Sequence, residues 1–184
     1  IYADPPWSYK DKRVKHPRIS GGALKHYPVM TISEIKALPI AAIAENDALL
    51  FMWVTFPLMA EALETITAWG FKYKTLGFSW IKTYPSGKPF FGIGWYTKSN
   101  CEVCLIGVRG KPQKVSDSVS SVVIAPKGKH SEKPAEVRDR IVQFAGDVPR
   151  VELFARHNTP GWDRWGDQIE STVGLLDIDW VGRL

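Results

Sequence analysis

Four residues near the start of the chain, Asp4-Pro5-Pro6-Trp7, have the types and the spacing to bind a planar base. They follow the apolar residues 1–3, which are typical of the end of a buried strand, and two prolines require that strand to stop. The Asp4 carboxylate and the Pro5 carbonyl are two acceptors, and Trp7 is a flat ring. This set suits a base that carries an exocyclic amine. The alternative is a strand-terminating turn, because Pro and Asp are common turn formers.

Composition indicates one globular domain. The chain has 184 residues, of which 45% are hydrophobic, and this is enough for a single core of ordinary size. No apolar run approaches the roughly 20 residues that a membrane helix needs, so we expect no membrane partner.

Basic residues are concentrated in two stretches, and the formal net charge is +5. This charge is compatible with a polyanionic partner but does not require one. The alternative for both stretches is a solvated loop. The first stretch contains Lys10, Lys12, Arg13, Lys15 and Arg18, and the second contains Arg109, Lys111, Lys114, Lys127, Lys129 and Lys133.

The two cysteines, Cys101 and Cys104, have a spacing that is found in redox and zinc sites. Residues 101–108 read as a strand, so the two thiols should point to opposite faces. No second cysteine pair could complete a zinc site. We therefore expect two buried free thiols in the reducing cytoplasm, with no metal.

Apolar periodicity predicts alternating strands and helices, with two long loops at residues 8–30 and 83–100. A capping box at Thr31 to Glu34 begins the first helix. Beyond residues 1–3, strands are predicted at 48–54, 76–82, 101–108, 121–125 and 151–155, and helices near 32–37, 57–69, 134–145 and 161–170.

This alternation predicts an α/β domain with a largely parallel sheet. Asp4-Pro5-Pro6-Trp7, Lys82 and residues 156–158 each follow or end a strand, so they should meet at one edge of that sheet. The chain contains no complete glycine fingerprint, no Walker loop and no metal-ligand cluster. The four histidines are scattered along the chain.

Ten short motifs in the same order resemble the MT-A seventy family, whose members transfer methyl from S-adenosylmethionine to the 6-amino group of adenine. The resemblance runs from about residue 2 to residue 168. The matching segments are Asp4-Pro5-Pro6-Trp7, His26 to Met30, Leu50 to Thr55, Trp69 to Phe71, Trp80 to Lys82, Asn100 to Glu102, Cys104 to Gly107, His130 to Pro134, Glu152 to Phe154 with Arg156, and Gly166 to Gln168.

The resemblance implies a Rossmann-like class I methyltransferase fold with helices on both faces of the sheet and a permuted motif order. In this order the catalytic strand precedes the cofactor strand, which residues 151–154 would form. Residues 1–170 would be the methyltransferase domain, and residues 171–184 are a tail that we do not place.

The resemblance also implies how S-adenosylmethionine is held. Lys133 would reach the cofactor carboxylate or the base pocket, and Asp167 with Gln168 would hold its ribose or adenine. The chain departs from the family where Ala155 replaces a common Gly and where Arg156 directly precedes His157. The cofactor set implied is Asp4, His130, Ser131, Lys133, Phe154, Arg156, His157, Asn158, Asp167 and Gln168.

In the chemistry so implied, Asp4 and the Pro5 carbonyl accept hydrogen bonds from the target amine and favour the form that attacks methyl. Trp7 would stack on the base or support the loop from the side, and Tyr27 is a second candidate for stacking. The candidates for base or phosphate contacts are Lys82, Asn100, Glu102, Lys12, Arg13 and Lys15.

We expect an adenine methyltransferase whose partner is nucleic acid, and DNA is favoured over RNA because the compact chain lacks RNA-recognition appendages. An RNA methyltransferase and a silent nucleic-acid-binding partner subunit are the alternatives, and the intact Asp4-Pro5-Pro6-Trp7 argues against the second. An oxidoreductase would need the missing glycine fingerprint. The sequence leaves the target sequence and the oligomeric state open, with a homo-oligomer among the options.

Overall fold

A computed structural model describes residues 1–8, 30–92, 94, 96–128 and 132–175. The centre is a seven-stranded sheet with the order β5-β3-β4-β2-β1-β6-β7. The strands are β1 (Tyr2–Ala3), β2 (Ala48–Val54), β3 (Lys72–Thr83), β4 (Cys101–Arg109), β5 (Val122–Pro126), β6 (Val151–Leu153) and β7 (Asp163–Trp165).

Most neighbouring strands pair in parallel, as the sequence predicts. β1 pairs in parallel with β2 and with β6, and β3 with β5. β4 is antiparallel to both of its neighbours, β2 and β3. The α/β, Rossmann-like fold with a largely parallel sheet is therefore confirmed.

Helices cover both faces of the sheet, and each buries its apolar side. They are α1 (Ile32–Ala37), α2 (Ile40–Ile43), α3 (Met59–Ala68) and α4 (Glu136–Ala145). The first three pack on one face, where Ile35 and Ile66 join Leu50 and Leu105 in the core. On the other face, Val137 and Ile141 of α4 pack with a second cluster that includes Phe51.

The local signals in the sequence explain where the helices begin and end. Thr31 caps α1 in a capping box with Glu34, as predicted. Trp69 and Gly70 end α3, and Gly70 has a positive φ of 84°. Among the described residues, no helix has the length and the apolar character needed to cross a membrane.

One predicted helix is wrong. Residues 161–170 form no helix; they contain β7, which pairs in parallel with β6. The Asp163 amide donates to the Arg150 carbonyl at 2.9 Å. This parallel pairing holds the segment extended and adds one strand to the sheet. The next residues, 171–175, then fold onto this strand, and Leu175 is buried in the core.

The two thiols lie three positions apart on β4, so strand alternation turns them to opposite faces, and Cys104 joins the α4-side cluster. Both are free; Cys104 is buried, whereas Cys101 is only partly buried, which corrects the expectation of two buried thiols. Burial raises the pKa of the Cys104 thiol well above its ordinary value, so this group stays protonated.

Candidate active site

The site lies where β1 and β6 run side by side. Ala3 pairs with Leu153 of β6 and with Met52 of β2, so Asp4 and Phe154 leave the sheet at the same edge. The strand that follows β1 in the chain, β2, lies on one side of this pair, and the strand that follows β6, β7, lies on the other side. The point between β1 and β6 is therefore a switch point, where open α/β sheets bind ligands. The predicted meeting of strand ends is therefore present at Asp4.

Asp4 is held by a buried lysine. The Lys133 ammonium donates to Asp4 Oδ2 at 2.7 Å, and the side chains of Lys133 and Asp4 are 7% and 27% exposed. Lys133 is thus enclosed, while the carboxylate that it contacts remains accessible. A carboxylate has further lone pairs, so Asp4 can accept another hydrogen bond while this ion pair persists.

Glu102 continues this ion pair into a chain of alternating charges. It lies 3.3 Å from Lys133 Nζ and also pairs with Lys82, whose side chain is 15% exposed. The predicted residues Asp4, Lys133, Glu102 and Lys82 therefore form one network. The sequence separates them into cofactor and substrate roles, whereas the structure joins them.

Burial and charge act in opposite directions on this network. Burial alone would raise the pKa of the Glu102 carboxyl, but the Lys133 and Lys82 ammonium groups outweigh it and lower this pKa. Burial alone would lower the pKa of Lys133, yet Asp4 and Glu102 raise it. Both partners are therefore charged at neutral pH.

Trp7 lies in the core and not at the exposed edge of the sheet. Its side chain is only 6% exposed and packs with Met30 in the core. Its indole N–H donates to the Trp53 carbonyl at 3.1 Å, which fixes the ring beside β2. Of the two roles that the sequence leaves open, the geometry favours the lateral support.

The Pro5 carbonyl already has one partner. The backbone amide of Trp7 donates to it at 2.8 Å, and the Pro6 carbonyl accepts from the Met30 amide at 3.0 Å. These bonds fix the turn after β1. The second lone pair of the Pro5 carbonyl is the one that a target amine can use.

Two aromatic residues next to Lys133, Trp53 and Tyr2, have no role predicted from the sequence. Lys133 Nζ lies 5.6 Å from the centre of the Trp53 ring, and Trp53 donates its indole N–H to the Tyr2 hydroxyl at 2.7 Å. Arg138, paired at two positions with Glu152, lies over the Tyr2 ring. In the parallel register of β1 and β2, Ala3 pairs with Met52, so the next residues, Asp4 and Trp53, lie beside each other.

The end of β6 has an unusual backbone. Phe154 has a φ of 61°, a left-handed conformation that is uncommon for a non-glycine residue and concentrates at functional sites. Its ring meets Trp165 edge-on, with centroids 5.3 Å apart. Ala155, which stands where the family commonly has Gly, is fully buried.

Gly166 closes the same corner from β7. A Cβ at this position would lie 2.2 Å from the Ala155 carbonyl oxygen, so only glycine permits this approach of the two chain segments. Asp167 and Gln168 follow directly and are exposed. The backbone therefore presents these two side chains at the edge that also carries Phe154.

The remaining predicted residues at this corner are spread out. Arg156 is partly buried, and His157 is 68% exposed with its Nε2 3.9 Å from Glu132. Asn158 is exposed, and its amide oxygen accepts from Arg164 at 3.2 Å. Asn158 also lines a cavity of about 480 Å³ together with residues 147–150, which precede β6 and thus lie at the opposite edge from Asp4.

Of the remaining predicted site residues, the structure describes Asn100 but not six others. Asn100 is partly buried and its carbonyl accepts from the Lys82 amide at 2.8 Å. The part of the chain that the structure describes contains no group of three or more His, Cys, Asp or Glu side chains that could hold a metal ion. Tyr27, His130, Ser131, Lys12, Arg13 and Lys15 lie outside the described residues.

Comparison with known proteins identifies the family of the chain. The MT-A70 family model matches residues 1–168. The chain is 36% identical to the type II methyltransferase M.MunI of Mycoplasma sp. over 185 residues, which cover 92% of this chain and 76% of that protein.

Eukaryotic relatives match over a smaller part of their own length. The chain is 30% identical over 192 residues to the human N(6)-adenosine-methyltransferase catalytic subunit METTL3, covering 100% of this chain but 30% of that protein. With the Drosophila melanogaster N(6)-adenosine-methyltransferase MT-A70-like protein, identity is 28% over 190 residues, covering 98% of this chain and 28% of that protein. The family match extends from β1 past β7 and so includes the whole site, and the chain belongs to the MT-A70 family of methyltransferases.

Proposed function

We propose that this methyltransferase uses S-adenosylmethionine to methylate the 6-amino group of adenine in DNA. The observation that carries the proposal is the Asp4 carboxylate, which is accessible at the switch point of the sheet and held there by Lys133. The names of the relatives support the substrate: METTL3 is an N(6)-adenosine-methyltransferase, and M.MunI is a type II methyltransferase.

The residues at the switch point fit S-adenosylmethionine, which when bound supplies a methyl group on a positively charged sulfur. Of the two roles implied for Lys133, its pairing with Asp4 and Glu102 favours the base pocket over a contact with the cofactor carboxylate. Asp167 and Gln168 have the acceptors and donors that ribose hydroxyls and an adenine ring require. The left-handed Phe154 and the close approach at Gly166 make a backbone corner beside these side chains.

Asp4 acts on the target amine. The lone pair of the adenine 6-amine is drawn into the ring, which makes the amine a poor nucleophile. Two acceptors aimed at its hydrogens, Asp4 and the Pro5 carbonyl, favour the pyramidal amine whose lone pair points outward. The amine would keep its protons until its nitrogen takes the methyl carbon, as the bond of that carbon to sulfur breaks and the sulfur leaves as a thioether. The methylated amine is then acidic, and Asp4 or water takes one proton.

Lys133 keeps Asp4 in the position that this role requires. Its ammonium, 2.7 Å from Oδ2, restricts the rotation of the carboxyl group. Glu102 and Lys82 hold Lys133 from the other side. The network thus positions an acceptor without covalent chemistry. Because Trp7 is buried, the stacking partner of the base has to come from elsewhere, and Tyr27 stays our prediction for it.

We prefer DNA to RNA because M.MunI, of which this chain covers 76%, is a type II methyltransferase. This chain covers only 30% of each METTL3 protein, so most of the METTL3 sequence lies outside the matched region. RNA is the alternative substrate. We further propose that residues 1–170 act as one methyltransferase domain in the cytoplasm, where both thiols remain reduced.

The test is methyl transfer from labelled S-adenosylmethionine to duplex DNA, single-stranded DNA and RNA in parallel. We expect label in at least one of the two DNA substrates, recovered as N6-methyladenine after digestion. Asp4→Asn protein, with folding checked by thermal melting, is the control for contaminating activity. Label in RNA alone would select the alternative substrate, and transfer equal in wild type and Asp4→Asn would contradict the proposal.

A further inference from the structure

The 84–100 loop between β3 and β4 is rooted next to the active site. The Lys82 amide donates to the Asn100 carbonyl at 2.8 Å, so both ends of the loop meet at the carboxyl end of β3. The Lys82 side chain pairs with Glu102, and through Lys133 this network reaches Asp4. A substrate strand whose adenine contacts Asp4 therefore passes close to this loop.

Backbone hydrogen bonds anchor the described part of the loop around Phe90 and Gly92. The Phe90 amide donates to the Lys82 carbonyl at 2.9 Å, which folds the loop back on β3. The Gly92 amide donates to the Ser99 carbonyl at 2.8 Å, and a Cβ at Gly92 would lie 2.5 Å from the same oxygen. Phe91 lies between these two hydrogen-bonded residues, Phe90 and Gly92, so its place in the loop is fixed by the backbone.

The loop exposes aromatic rings that the protein itself does not bury. Tyr84, Phe91 and Tyr96 are 43%, 59% and 102% exposed. Tyr84 meets Phe90 edge-on with centroids 5.3 Å apart, and Lys127 Nζ lies 5.0 Å from the Phe90 centroid. An exposed group of large apolar side chains indicates a binding surface.

The charge around these rings is positive. Residues 84–100 include Lys88 and Lys98 and no Asp or Glu. Both lysines are exposed, as is Lys127 next to Phe90. Flat rings interspersed with cations are the combination that binds unpaired nucleic-acid bases, because the rings stack on base faces while the cations meet phosphates.

We propose that the 84–100 loop stacks an unpaired base next to the target adenine, with Phe91 and Tyr96 as the stacking side chains and Lys88 and Lys98 as phosphate contacts. This inference rests on the proposed function and names how its substrate is held. It predicts that the enzyme binds single-stranded or locally opened DNA in preference to intact duplex. A protein partner would be the other occupant of exposed rings, but the uniform positive charge favours a polyanion.

The experiment compares ring variants with charge variants. Phe91→Leu/Tyr96→Leu removes the rings and keeps the apolar character, and Tyr73→Leu is a matched control because Tyr73 is 49% exposed near the start of β3, the opposite end of that strand. The probe is a fluorescent thymidine strand with a single adenine. A second probe has abasic sites on both sides of that adenine.

We expect the double ring variant to bind the first probe at least tenfold more weakly than wild type, because each stacked base contributes about tenfold. The abasic probe should show little difference between the two proteins. Tyr73→Leu should bind as wild type does. Lys88→Gln/Lys98→Gln should instead lower the salt dependence, by about 0.7 log per log salt for each phosphate that the variant no longer neutralises.

Unchanged affinity of the ring variant, or an equal decrease on the abasic probe, would overturn the inference. A change in sedimentation without a change in DNA binding would assign the surface to a protein partner and also overturn it. Wild-type methyl transfer to adenine, measured separately, keeps the two proposals apart. If transfer is present and the loop variants bind normally, only the stacking role fails.

Discussion

The two corners of the active site are built in different ways. At the β1 corner, charged side chains are mostly enclosed and paired with each other, as Lys133 is with Asp4 and Glu102. At the β6–β7 corner, the polar side chains are exposed, and the defined feature is the backbone at Phe154 and Gly166. One corner is positioned by ion pairs and the other by chain geometry.

This difference separates two kinds of sensitivity to mutation. Where enclosed charges hold one another, removing one side chain leaves its partners without compensation. Where the backbone sets the shape, a side chain can be cut back with little effect, but an added methyl group meets a carbonyl oxygen. The β1 corner should therefore respond to the loss of functional groups, and the β6–β7 corner to a gain of volume.

The largest effect should come from Asp4→Asn. Asn keeps the size and one acceptor of Asp4, but it loses the charge that pairs with Lys133 and brings a donor that opposes the amine hydrogens. Removing one preorganised electrostatic partner typically reduces turnover about a hundred- to a thousandfold, or roughly 2.7–4 kcal/mol. The measurement is turnover at saturating cofactor and DNA, with a melting control. Near-normal turnover would mean that the ion-paired corner does not act on the amine.

Gly166→Ala tests the other corner. The new Cβ would lie 2.2 Å from the Ala155 carbonyl oxygen and 2.9 Å from its nitrogen, so one of the two segments has to move. Overpacking of this kind costs about 1–3 kcal/mol, measured as the free energy of unfolding in urea. Gly174→Ala is the control, because its Cβ would meet nothing within 4 Å. Equal effects of the two variants would remove the argument that backbone contact defines this corner.

Glu102→Gln tests the ion pairs of the β1 corner through the pH dependence of protein stability. The folded state lowers the pKa of Glu102 below 4.5, so its ionised form stabilises the protein above pH 4.5 and that contribution is lost as pH falls through the folded pKa. We expect the variant to be less stable at neutral pH by about 1.5 kcal/mol, and the difference to shrink in acid.

The measurement for Glu102 is the melting temperature of both proteins from neutral pH down into the acid range. The exposed Glu45, replaced by Gln, controls for the general effect of removing a carboxylate. A difference between wild type and Glu102→Gln that is constant with pH would show that the ionised carboxylate contributes nothing to folding.

Much of the fold could be predicted because its signals are local. The strand at 48–54, the capped helix at Thr31 and the helix ending before Gly70 each depend on neighbouring residues. β7 could not be predicted, because its three residues carry no period of their own and form a strand only by pairing with β6. β6, with which it pairs, lies outside the short segment over which apolar periodicity is judged.

The site could be predicted as a set of residues but not as a set of contacts. The motifs identify Asp4, Lys133, Glu102 and Lys82, yet their pairing joins positions that are 129 residues apart in the case of Lys133 and Asp4. The sequence likewise leaves the burial of Trp7 undetermined, because a tryptophan after a strand can pack inward or stack outward. Here the bond to the Trp53 carbonyl requires the inward position.

The smallest effect, and the one that most directly tests the second corner, should come from Asn158→Ala. The family resemblance implies a cofactor contact for Asn158, but its side chain is exposed, bonds to Arg164 at 3.2 Å and lines a cavity with residues 147–150. Exposed substitutions of this kind usually change stability by less than about 0.5 kcal/mol. We expect S-adenosylmethionine affinity, measured by titration calorimetry, to change by no more than about twofold, since about 1.4 kcal/mol would be tenfold. Lys133→Ala, titrated beside it, should weaken binding clearly more, because its loss leaves the Asp4 and Glu102 carboxylates unpaired at the site. A tenfold weakening in Asn158→Ala would show that this side chain reaches the cofactor and that the β6–β7 corner also depends on individual polar groups.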